Sequence, residues 1–120
     1  MQKEKENKTE IEATELYKNA REFQKNVYYS MENIFQSGPF LETQLLYSAG
    51  RVFRLITDFL SGAKTKESGK KMIKQEMARL KTELYSAYDK EDISREVFAG
   101  LIISFSRLKR VFEKESDKNI

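Results

Sequence analysis

The sequence predicts an all-α, single-domain bundle of about four helices, on three observations. Its 120 residues suit one domain, since domains most often run to about 100–150 residues. Five glycines and one proline are too few turn formers for the hairpins of an all-β architecture. Apolar residues recur at spacings of three and four through stretches rich in Glu, Lys, Leu and Ala, the pattern of amphipathic helices with a common core.

Residues 1–8 form a charged leader. Thr9 followed by Glu12 is a capping-box pattern, in which hydroxyl and carboxylate each accept one of the free amides of a first turn, and it sets the first helix at 9–35. Leu16, Ala20, Phe23, Val27, Met31 and Ile34 share its inner face. Ser37-Gly38-Pro39 ends this helix, and Pro39 opens the second, because proline lacks an amide donor but fits a first helical position. The second helix, 39–61, turns Leu41, Leu45, Ala49, Val52, Ile56, Phe59 and Leu60 inward and stops at Gly62. The polar run 62–69 (GAKTKESG), with glycine at each end and no apolar period, reads as a loop.

The third helix, 70–88, carries Ile73, Met77, Leu80, Leu84 and Tyr88 on one stripe. Asp89-Lys90-Glu91-Asp92 breaks it with acids suited to the start of the next helix. The fourth, 93–113, faces inward with Val97, Leu101, Phe105, Leu108 and Phe112, and Phe98 and Ile102 widen its apolar arc. Residues 114–120 form a charged tail.

The chain has no histidine and no cysteine, which removes imidazole acid–base chemistry, thiol nucleophiles, disulfides and the usual zinc and haem ligand sets. No Gly-x-Ser-x-Gly elbow, phosphate-cradling glycine loop or paired-carboxylate motif stands in their place. The acidic turn 89–92 lacks the alternating oxygen ligands and glycine of a calcium loop. The expectation is a noncatalytic protein without cofactor or metal.

Twenty-two Lys and Arg against nineteen Asp and Glu give a net charge of +3 and a pI near 9.0, a mild excess that permits an anionic partner. Its distribution says more. Tyr47, Arg51 and Arg54 lie together opposite the second helix's apolar stripe. Ile103, Arg107 and Arg110 repeat the spacing outside the fourth helix, and Lys25 with Tyr29 forms a smaller version on the first. On the third, Lys70, Lys71, Lys74 and Lys81 share one flank with Tyr85, while Glu76 and Glu83 fall on the other. Like charges four apart, such as Lys70 and Lys74, disfavour an isolated helix by a few tenths of a kcal/mol, and an anionic partner would offset that. Cations along a groove neutralise phosphates and interleaved tyrosines stack on unpaired bases, so Tyr47, Arg51, Arg54, Lys70, Lys74, Lys81, Tyr85, Arg107 and Arg110 are the candidate contacts to single-stranded RNA. Gly50, in the middle of the second helix, costs about 1 kcal/mol relative to alanine. Close helix packing and close approach of a partner's backbone both account for it.

The run Leu45-Leu46-Tyr47-Ser48-Ala49-Gly50-Arg51 resembles the small helical subunit of type III-A CRISPR effector complexes, a family that often shows a similar tyrosine, alanine, glycine, arginine series. The order of parts over residues 12–112 is also similar: a long amphipathic helix, the run itself, a lysine-rich middle and an aromatic-apolar last helix. Ile103-Ser104-Phe105 stands where that last helix carries a tyrosine in the family. The resemblance implies a noncatalytic subunit of an antiviral ribonucleoprotein that stacks with copies of itself and with other subunits. It also implies contacts to guide RNA and its target through basic residues, with Arg51 as the contact and Tyr47 and Gly50 framing it.

A second reading is a small helical adaptor that binds only proteins, with Ile103 and Tyr29 as contacts and the lysines serving solubility. A membrane-surface bundle would need several large apolar groups beside the lysines, and there are too few. No apolar run approaches the roughly 20 residues that span a bilayer, and Met1 to Glu15 lacks the apolar core of a secretory signal. The expected location is the cytoplasm.

Overall fold

The computed structural model describes residues 10–12, 14–30, 39–63 and 65–117, and no strand occurs among them. Four long helices, α1 (Glu15–Ser30), α2 (Pro39–Ser61), α3 (Lys66–Asp89) and α4 (Arg95–Asp117), follow one another, with a helical turn at residues 10–12 before α1.

Local hydrogen bonds set the helix ends. α1 is capped by Thr14, whose Oγ1 accepts the Tyr17 N–H at 3.1 Å and donates to the Ile11 carbonyl at 2.7 Å. The long helix therefore starts later than the Thr9–Glu12 box implied. Tyr17 stands where a box would carry Glu or Gln, so Thr14 has no box signature. Thr9, Met31, Ile34, Phe35, Ser37, Gly38 and the side chain of Leu41 lie outside the described residues.

α2 keeps the expected bounds. Gly62 closes it at φ +77°, with its own N–H on the Phe59 carbonyl at 3.3 Å and the Ala63 N–H on the Asp58 carbonyl at 3.1 Å. This paired closure needs a left-handed residue, the backbone region glycine enters freely. The expected loop 62–69 is corrected by α3, which begins at Lys66 because the Thr65 side chain accepts the Ser68 N–H at 3.3 Å. Gly69 is thus a buried helical residue. A Cβ there would stand 3.0 Å from Phe59 Cδ1, so the missing side chain lets the start of α3 settle on the end of α2.

The acidic turn closes α3 instead of opening α4. The Asp92 N–H reaches the Ala87 carbonyl at 2.9 Å and the Glu91 N–H reaches that of Tyr88 at 3.0 Å, which puts Glu91 at φ 61°. A left-handed conformation costs a non-glycine residue roughly 1–2 kcal/mol. Glu91→Gly is therefore expected to raise stability by about 0.5–1 kcal/mol, net of the extra freedom glycine gives the unfolded chain, as read by urea unfolding. Ser94 caps α4, accepting the Val97 N–H at 3.1 Å. α4 then runs on to Asp117, taking in residues expected to be tail.

The inner stripes meet in one core. Leu16, Phe23 and Val27 of α1, Leu45 and Ile56 of α2, Ile73, Leu80 and Leu84 of α3, and Leu101, Leu108 and Phe112 of α4 are all but inaccessible. Each such side chain contributes about 1.5–3 kcal/mol by leaving water. Phe23 meets Phe105 edge to face at 5.9 Å and Phe59 meets Phe112 at 6.1 Å. Val97, Phe98, Ile102 and Tyr88 are half-buried around this centre.

The packing is uneven. α1 lies against α2 and α4, and α2 against α3, over broad faces, whereas α3 and α4 touch least of these neighbouring pairs. At Gly50 an added Cβ would meet, among the described residues, only Gln24 Nε2, at 3.6 Å, an ordinary contact, so packing among those residues does not require glycine. Gly50→Ala is expected to stabilise the fold by about 0.5–1 kcal/mol, seen as a rise of a few degrees in the unfolding midpoint.

Candidate nucleic-acid interface

The charge sorting on α3 has two structural halves. Glu76 and Glu83 face α2. Arg51 Nε lies 3.2 Å from Glu76 Oε2. Ser48 Oγ donates to Glu83 Oε2 at 2.8 Å, Gln44 Nε2 to Glu83 Oε1 at 3.4 Å, and Arg79 Nε stands 3.3 Å from the same Oε1. These acids are absorbed in a polar seam that joins α2 to α3.

Lys74 and Lys81 face the other way, toward α4. Lys74 and Lys81 stand one heptad apart, about 10 Å along the helix, on either side of Met77. Lys109 stands opposite on α4, between Phe105 and Phe112. Together with Ala78, Thr82 and Glu113 they line a groove of about 470 Å³. It continues into a compartment of about 320 Å³ that adds Tyr85, Ile102, Ser106 and Arg110 while sharing Lys81, Phe105, Lys109 and Glu113. Four cations and one carboxylate thus surround an apolar floor. Among the described residues, Lys74, Lys81, Lys109 and Arg110 make no ion pair. The Lys81 ammonium is 6.0 Å from the centroid of the Tyr85 ring, and that ring rests its edge on Phe98 at 5.1 Å.

Of the residues expected from sequence, the structure gathers Lys74, Lys81, Tyr85 and Arg110 at this groove. Tyr47 and Arg54 are exposed on α2 and are not part of it. Arg51 does not stand free beside them, because its guanidinium is engaged with Glu76. Arg107 is directed to α1, 4.0 Å from Glu22, and Lys70 is half-buried near the start of α3. The residue missed is Lys109. Its signal was its place between two core phenylalanines, the same relation that Lys81 has to Met77 and Leu84.

Tyr28 and Tyr29 of α1 and Ile103 of α4 are each about 60% accessible, and the two tyrosine rings meet edge to face at 5.8 Å. Among the described residues no cluster of acidic side chains could hold a metal ion, and no helix is long and apolar enough to cross a membrane. Comparison with protein-family models, with curated proteins and with solved structures finds no match.

Proposed function

We propose that this bundle is a noncatalytic RNA-binding and scaffolding subunit of a cytoplasmic ribonucleoprotein complex, of the type III CRISPR kind, that holds the backbone of single-stranded RNA. The observation that carries this reading is the convergence of Lys74, Lys81, Lys109 and Arg110 on one groove that holds a single carboxylate, Glu113, with Glu76 and Glu83 turned away into the α2 seam. Cations held near one another without partners repel, and a phosphate chain between them relieves the repulsion and releases its own counterions. The similarity of the run 45–51 to the CRISPR subunits supports the same assignment and adds contacts to other subunits and to further copies of the chain.

The test is binding of a single-stranded RNA over a range of salt. Affinity should fall linearly on a log–log plot, and Lys74→Ala/Lys81→Ala/Lys109→Ala should flatten the slope by about 0.7 per lost contact. Stability should change by less than about 0.5 kcal/mol per site, as expected of exposed positions. Unaltered affinity in the folded triple variant defeats the reading. The protein-only adaptor is favoured by one observation, the exposed Tyr28, Tyr29 and Ile103. On that account Ile103→Asp removes partner binding and the lysine variant keeps it.

A further inference from the structure

We infer that the groove between α3 and α4 seats an unstacked base of the bound strand, so that the protein selects single strands over duplexes by the floor of the site as well as by its rim. This rests on the RNA-binding reading above and names what that site takes. A rim that only neutralised phosphate would need no depth. Here Lys74, Lys81 and Lys109 surround a depression of about 470 Å³ lined below by Met77, Ala78, Phe105 and Phe112, within the roughly 300–1,000 Å³ typical of small-molecule sites, and Arg110 lines the adjoining compartment. It is shaped by α3 and α4, the least closely packed of the neighbouring helix pairs. Phe105 and Phe112 pack on Phe23 and Phe59 and, like Met77, are almost wholly buried, so the apolar surface that reaches the opening is that of Ala78 and of the lysine stems.

The occupant must join a flat apolar body to nearby anionic charge, and a nucleotide does both. Its base lies over Ala78 and the lysine stems, above the buried Met77, Phe105 and Phe112, while the flanking phosphates meet Lys74 and Lys81 on one bank and Lys109 on the other. Tyr85, exposed and steadied by Phe98, stands at the far end with Arg110, where the next base can stack. A duplex keeps its bases stacked inside and offers the floor nothing.

The experiment compares three probes on the full chain: a short single-stranded RNA of mixed sequence, the same strand with central abasic sites, and its duplex, each at about 50 and 200 mM salt. The intact strand is expected to bind about tenfold more tightly than the abasic strand, and more tightly than the duplex. Ala78→Trp, or Thr82→Trp as a second variant, fills the groove with its own ring and should bring the intact strand down to the affinity of the abasic one with the salt slope unchanged. The comparison between strands on the unmodified protein stands even where a variant fails to fold. Equal affinity for intact and abasic strands, with a normal salt slope, overturns the base seat and leaves the backbone reading in place. Absence of salt-dependent binding by every probe overturns both.

Discussion

Phe105→Ala is expected to lower the unfolding free energy by about 3–5 kcal/mol, near the upper end for a core truncation. Phe105 is 3% exposed, belongs to α4 and packs edge to face on Phe23 of α1. The change removes the transfer energy of a whole ring together with an aromatic pair worth about 0.5–1.5 kcal/mol. It also leaves a void beside the α3–α4 groove, where the packing is thinnest and water can enter. Leu80→Ala, deep in α3, should cost about 2–5 kcal/mol, and Lys71→Ala on the exposed side of the same helix less than about 0.5. Urea unfolding of the three variants checks the order. Small, equal effects at all three would mean that the apolar stripes do not mark the core.

Those stripes were legible because burial of a helix face leaves a direct trace in sequence. A residue such as Leu84 or Leu108 is inside because its neighbours at three and four are apolar, and no knowledge of the partner helix is needed. Pro39 and Gly62 were legible for a similar reason, since each has a conformational property that acts locally. Thr14, Thr65 and Glu91 were not. A threonine outside a capping box looks like any polar residue, and Glu91 takes its left-handed conformation because Ala87 and Tyr88 need their carbonyls closed, whatever side chain it carries. The groove was half legible. The lysine flank on α3 could be read from one helix, whereas Lys109 acquires its meaning only when α4 is set opposite Met77. The acids of α3 mislead in the same way: from one helix Glu76 is merely the other flank, while in three dimensions it binds Arg51.

Arg51→Ala is expected to cost about 2–3 kcal/mol, far more than an exposed cation on a helix surface. Glu76 is only 7% exposed, its Oε2 lies 3.2 Å from Arg51 Nε, and its Oε1 is buried with no hydrogen-bond partner among the described residues. Removing the guanidinium leaves a carboxylate between α2 and α3 without its counter-charge. Breaking a fully buried pair costs about 3–5 kcal/mol, and the 37% exposure of the Arg51 side chain, which admits water to the site, reduces that figure. The partner change separates this loss from any RNA contact. Arg51→Met/Glu76→Leu replaces both charges by apolar groups of similar size and should restore most of the lost stability, since apolar substitutes for a buried pair are often neutral or better. RNA affinity, measured on that refolded double variant, then decides what Arg51 does. Affinity near that of the parent protein assigns Arg51 to the α2–α3 seam and leaves Lys74, Lys81 and Lys109 as the backbone contacts. Affinity lost in a folded double variant, with the lysines intact, returns Arg51 to the RNA contacts of the proposed function.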